Sequence, residues 1–153
     1  MREQGQETKT RRSVHRTQWA AQFAVASELC KRGYMVAFTM GNHPAVDIMV
    51  TSPSGVPFLV DVKGQYKGNW WIVSPKKDLG KLLFYVFAFV PDDGANRFFV
   101  LTQAQVNSEV EAEFERYRAP RVKDGRPVSE SFLGVGQKFL SAFENKWREV
   151  LPS

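Results

Sequence analysis

Cysteine, histidine and long apolar runs are what this sequence has least of. One cysteine, Cys30, stands in 153 residues. No disulfide can form within the chain, and a reducing compartment is expected. Only His15 and His43 supply imidazole, and neither a CxxC nor an HExxH spacing occurs. A structural zinc site would therefore lack its ligands. No apolar run approaches the roughly 20 residues that cross a bilayer. The N-terminus is charged and is followed by no apolar leader segment. These absences predict a soluble, cytoplasmic protein with no membrane partner. No internal repeat is present.

What the chain does contain is apolar and aromatic material and an excess of positive charge. Hydrophobic residues make up 43% and aromatics 13% of the sequence, which predicts a packed globule rather than disorder. The length suits one domain with a real core. Residues 1–13 read as a flexible basic arm and residues 14–153 as a single domain. The net charge of +5 favours an acidic partner such as nucleic acid. The cations cluster: Lys9, Arg11, Arg12, His15 and Arg16 first, then Lys67, Lys76, Lys77 and Lys81. A late group holds Arg116, Arg118, Arg121, Lys123 and Arg126. Phosphate neutralisation by such residues gives affinity without sequence preference. Arg12, Arg16, Lys67, Lys76 and Lys77 are the candidate contacts. A merely solvated basic surface is the alternative for any one cluster.

The chemistry concentrates in two short apolar runs, residues 45–50 and 58–63. Both are rich in β-branched residues and read as strands. The turn formers of residues 51–55 lie between them, so the runs form a hairpin. Three charged residues interrupt this apolar framework: Asp47, Asp61 and Lys63. Side chains alternate along a strand, so Asp61 and Lys63 share a face, where Asp47 on the neighbouring strand can meet them. Two carboxylates beside an ammonium suit phosphodiester hydrolysis at Mg²⁺ or Mn²⁺. Mg²⁺ takes one or two carboxylates together with water and substrate phosphate, and a nearby lysine can position or deprotonate water. The alternative is a buried salt bridge between Lys63 and one aspartate, with the other capping a turn. Burying three charges in one strand pair costs several kcal/mol per ion unless well compensated, which favours a functional site.

The remaining chain alternates helices and strands. A helix is predicted over residues 17–32, capped by Thr17 and stopped by Gly33, with Trp19, Phe23, Ala26 and Cys30 on its apolar stripe. Strands are predicted over residues 34–40, 70–73, 82–90 and 97–101. The 82–90 strand is apolar enough to be central and covered on both faces. Trp70 and Trp71 are adjacent in a strand, so they face opposite sides. One belongs to the core, and the other could stack on a base or pack under a loop. A helix is expected over residues 102–117, a basic loop over 119–127, and an amphipathic helix over 139–151. The fold class is α/β, a mixed central β-sheet flanked by helices.

The order of a helix with Glu28, then Asp47, then Asp61-Val62-Lys63 and Gln65 resembles the PD-(D/E)xK nuclease superfamily. The likeness is to its restriction endonuclease-like and Holliday junction resolvase-like branches and spans roughly residues 17–103. Two positions depart from the pattern: Val46 precedes Asp47 where proline is usual, and Asp61 stands for the commoner glutamate. The resemblance implies a restriction endonuclease-like core and a metal-dependent endonuclease acting on nucleic acid, DNA in the first instance. It implies that Asp47 and Asp61 hold the metal and that Lys63 assists the water. Glu28 would be an auxiliary acid and Gln65 a supporting polar residue. Family members often pair, so a homodimer is implied. A catalytically inactive nucleic-acid-binding module on the same fold is the alternative.

Overall fold

A computed structural model describes residues 12–43, 46–73, 78, 80, 82–130 and 133–153. Helix α1 (Val14–Lys31) opens the described chain. Its cap is Ser13, whose hydroxyl accepts the Arg16 N–H. The helix thus begins a turn earlier than Thr17, which is buried inside it. Gly33 follows the helix at φ 88°, the left-handed geometry that ends helices and that glycine adopts without Cβ strain.

Strands β1 (Met35–Phe38), β2 (Ile48–Thr51) and β3 (Pro57–Gln65) then form an antiparallel meander. Beyond the short strand β4 (Trp70–Ile72), β5 (Leu83–Phe89) returns parallel to β3, and β6 (Arg97–Thr102) pairs antiparallel with β5. The five-stranded order β1-β2-β3-β5-β6 is the expected mixed sheet. The β5 strand is buried from Leu83 to Ala88, because each face of the sheet carries its own apolar cluster. One face packs on α1 through Val60, Val62 and Val86; the other buries Tyr85, Phe87 and Phe99 beneath α2 (Gln103–Lys123). No helix among the described residues is long and apolar enough to cross a membrane.

Four features differ from the sequence expectation. First, α1 buries Ala21, Gln22, Val25, Ala26 and Leu29, while Phe23 is 59% exposed and Cys30 is exposed. Small residues let the helix sit close on the sheet, and the larger Trp19 and Phe23 stack at its margin beside Phe38. Second, α2 runs through Pro120 to Lys123, where a basic loop was expected. Arg116 pairs there with Glu109 and Glu113, and Arg118 pairs with Glu115. Spacings of three residues, and of seven for Glu109, put such side chains on one face of a helix, so this late basic cluster is partly neutralised by its own helix. Third, β7 (Gly134–Gly136) pairs with β4 in a separate two-stranded sheet.

Fourth, the C-terminal helix is broken. Helix α3 (Gln137–Leu140), a 3₁₀ turn (Ser141–Phe143) and α4 (Trp147–Val150) replace it. Asn145 at φ 56° makes the break. Arg97 draws the preceding Glu144 onto β6 through two hydrogen bonds of 2.9 Å. That pairing holds the Glu144 carboxyl below its ordinary pKa.

Candidate active site

The site forms where β2 ends and β3 continues without it. The Asp47 N–H donates to the Val60 carbonyl at 3.2 Å, although the register partner of Val60 is Ile48. Two residues thus stand against one, the count of a β-bulge. A bulge resets the alternation of side chains. Val46 enters the core on the α2 face and Ile48 the core on the α1 face. Asp47 turns with Ile48 toward α1. Thr39 holds the bulge by donating its N–H to the Asp47 carbonyl at 3.0 Å and its hydroxyl to the Val46 carbonyl at 2.7 Å.

Beyond Val60, the β2-facing backbone edge of β3 has no strand partner among the described residues, and side chains take that place. Asp47 Oδ2 accepts the Val62 N–H at 2.8 Å. The Gln18 amide donates to the Val62 carbonyl at 2.7 Å and accepts the Gly64 N–H at 3.4 Å. Gln22 Nε2 donates to Asp47 Oδ1 at 3.3 Å, and Gln18 Nε2 lies 3.5 Å from Oδ2. The helix comes this close because residue 64 is glycine. A Cβ there would stand 2.7 Å from that of Ala21 and 3.1 Å from the Thr17 carbonyl.

Asp61 and Lys63 share a face, as strand alternation requires, and it is the face opposite α1. Lys63 Nζ lies 3.0 Å from Asp61 Oδ1. Asp61 is only 1% exposed, while the Lys63 side chain keeps 27% of its surface. Beside Asp61 in register is Tyr85 on β5. Burial, reinforced by the Asp61 charge, raises the Tyr85 pKa well above its ordinary value, so the phenol keeps its proton. Neither that hydroxyl nor the buried Trp71 indole N–H has a hydrogen-bond partner among the described residues. Such groups are uncommon in protein interiors.

Asp47 does not meet this pair on the shared face that the sequence predicts: it stands at the sheet edge with its carboxylate turned toward Gln18 and Gln22 of α1. The Val62 nitrogen is two bonds from the Asp61 Cα, so Asp47 Oδ2 stands within roughly 5 Å of that Cα. The described residues hold no cluster of three or more His, Cys, Asp or Glu groups able to bind a metal. A cation held by both acids would have to sit at the β3 edge, between carboxylates directed to opposite faces, and take the rest of its shell from water and substrate, as Mg²⁺ commonly does.

Lys63 opens into a cleft of about 740 Å³ that also meets Arg12, Gln65, Tyr66, Lys67 and Trp70. Gln65 donates to the Trp70 carbonyl at 2.9 Å and accepts the Tyr66 N–H at 3.3 Å, so it shapes the turn into β4. Arg12 stacks on Tyr66 at 4.8 Å and is anchored by the Val90 carbonyl and Asp92, each at 2.7 Å. Lys67 covers the same ring at 5.4 Å. Arg16 lies with His15 and Trp19 on the exposed first turns of α1. Lys76 and Lys77 fall outside the described residues.

Glu28 is not brought to the site. It stands six residues beyond Gln22, about 9 Å along the helix axis. It pairs there with Lys31 at 2.8 Å and Arg32 at 2.5 Å, and both partners hold its carboxyl below the ordinary pKa. The helix reaches Asp47 through Gln18 and Gln22 instead. Those two were missed in the sequence, although a spacing of four places them on one helical face. Tyr85 was missed because its run reads simply as core. The chain matches no known protein family model, no curated protein and no solved structure.

Proposed function

We propose that this chain is a metal-dependent endonuclease, built on a restriction endonuclease-like core, that hydrolyses phosphodiester bonds of nucleic acid, DNA in the first instance. The observation that carries the reading is the ion pair of buried Asp61 with Lys63, whose side chain opens into a cleft that Arg12 and Lys67 also line. An ion pair with one partner buried is weak evidence of stabilisation, and its position beside a basic cleft gives it a use. Asp47 and Asp61 would hold Mg²⁺ or Mn²⁺, which when bound makes water more acidic and polarises the phosphate. Lys63 Nζ, with part of its surface open to the cleft, orients the attacking water or offsets charge on the phosphate. Arg12 and Lys67 hold the flanking phosphates, and Gln65 keeps the cleft wall in place. Gln18 and Gln22 orient the Asp47 carboxylate. The exposed free thiol of Cys30 agrees with a cytoplasmic setting, and pairing of two copies as a homodimer would let both strands of a duplex be cut.

A second reading is favoured by one observation: both acids are already engaged within the chain, Asp47 by a backbone amide and two glutamines, Asp61 by Lys63. A nucleic-acid-binding module without catalysis would look the same. The test is cleavage of labelled single-stranded, duplex and four-way-junction DNA with Mg²⁺ or Mn²⁺ and with chelator, comparing wild type with Lys63→Ala. Metal-dependent cutting that disappears in the variant supports the endonuclease. Salt-sensitive binding without cutting selects the binding module.

A further inference from the structure

Trp70 lines two cavities: the cleft just described and a smaller hollow of about 270 Å³ that also meets Phe114, Tyr117, Leu133 and Gly134. Strand alternation sends Trp71 into the core against Phe87 and Phe99 and turns Trp70 outward, where it remains 36% exposed. The indole lies along β7. A Cβ on Gly134 would meet its Nε1 at 2.8 Å, and one on Gly136 would meet its Cε3 at 3.7 Å. Two glycines spaced by two on one face of β7 therefore make a flat backing for the ring. Tyr117, which lines the same hollow, is steadied by the Arg121 guanidinium at 4.5 Å and by Phe114 at 6.4 Å.

We propose that this hollow receives one unpaired base of a nucleic-acid strand whose phosphates lie in the adjacent cleft, the base stacking against Trp70 and Tyr117. The proposal rests on the nucleic-acid reading above and narrows its substrate to single-stranded or unpaired segments. A nucleotide places a flat, largely apolar ring one sugar away from a charged phosphate. The protein presents the complementary pair: an aromatic hollow and a lysine-flanked cleft that share one indole as a wall. The volume falls just below the roughly 300–1,000 Å³ of pockets for drug-sized ligands, which suits a single ring system. Glu113 and Ser129 supply polar groups at its margin for the edge of a base. In an intact duplex the bases are stacked and paired, so none is free to enter without being extruded.

The test measures binding in the presence of chelator, so that catalysis plays no part. Fluorescence anisotropy at low salt would compare an oligo-dT, a sugar–phosphate oligomer of the same length lacking bases, and a blunt duplex. Wild type is expected to bind oligo-dT about tenfold more tightly than the abasic oligomer, the range of one stacked base. Tyr117 lies outside the cleft, so Tyr117→Ala should remove most of that difference without changing abasic binding. Trp70→Ala should weaken oligo-dT more than the abasic oligomer, and Trp70→Phe should retain most of the preference. Equal binding of dT and abasic oligomers by wild type overturns the base site while leaving the nucleic-acid reading intact. So does an equal loss for both oligomers in well-folded variants, since the aromatic residues would then be structural. No binding of any probe overturns the nucleic-acid reading and the base site together.

Discussion

The carboxylate of Asp47 accepts the backbone N–H of Val62 at 2.8 Å, so the residue proposed to hold a metal also completes the edge of β3. Its charge and its hydrogen-bond geometry can be separated by mutation. In Asp47→Asn the remaining oxygen can still accept from Val62, and Gln22 can turn its amide to accept from the new NH₂. Asp47→Ala leaves the buried Val62 amide without an acceptor and should cost about 1–3 kcal/mol. Urea unfolding is expected to show Asn near wild type and Ala clearly less stable, with metal-dependent cutting absent from both. Cutting retained by Asp47→Asn would remove this carboxylate from the proposed chemistry.

Gly64 sets how closely α1 approaches β3. Gly64→Ala drives a methyl into Ala21 and the Thr17 carbonyl, and overpacking of this kind costs about 1–3 kcal/mol. Part of the clash is methyl against methyl, so Ala21→Gly in the same chain should recover some of the loss, even though glycine within a helix costs up to about 1 kcal/mol itself. A double-mutant cycle checks this, and strict additivity would show that the helix does not bear on Gly64.

Tyr85 gives a dependence on alkaline pH. Its folded pKa is raised above the ordinary value of 10.0, first by burial and then by the Asp61 charge. The resulting stability is fully present below pH 10 and is lost as the pH rises through the higher folded value. Tyr85→Phe removes both the buried hydroxyl and this alkaline loss. It should be as stable as wild type at pH 7, or more stable by up to about 1 kcal/mol. Above pH 10 its advantage should widen. Thermal melts from pH 7 to 11 are the measurement. A large loss of stability at pH 7 would mean that the hydroxyl bonds to an ordered water.

Glu28→Gln tests the auxiliary acid implied by the family resemblance. Glu28 is held by Lys31 and Arg32 on the surface of α1, and exposed ion pairs contribute about 1 kcal/mol or less. Cutting is expected to be unchanged and Tm to shift by a few degrees at most. Gln22→Ala, which strips a donor from Asp47, should lower cutting more. The reverse order would return Glu28 to the site.

The amino-acid pattern alone determined the pieces nearest the chemistry. Alternation along residues 58–65 is a property of any extended strand, so Asp61 and Lys63 had to share a face. The apolar run ending at Val90 fitted a strand covered on both faces, and adjacent Trp70 and Trp71 in a strand had to diverge. Tertiary structure decided the rest. A single extra residue at Asp47 turned its side chain toward α1, a change no period-two pattern reports. The partners of that carboxylate, Gln18 and Gln22, come from 29 and 25 residues away. Gly134 and Gly136, which support Trp70, come from a strand that pairs across more than sixty intervening residues. Alternation and helical period are short-range consequences of backbone geometry. Which edge groups lack a strand partner, and which distant side chain reaches them, depends on where elements end in space. That is settled only when the buried amides of the whole sheet have to be satisfied together.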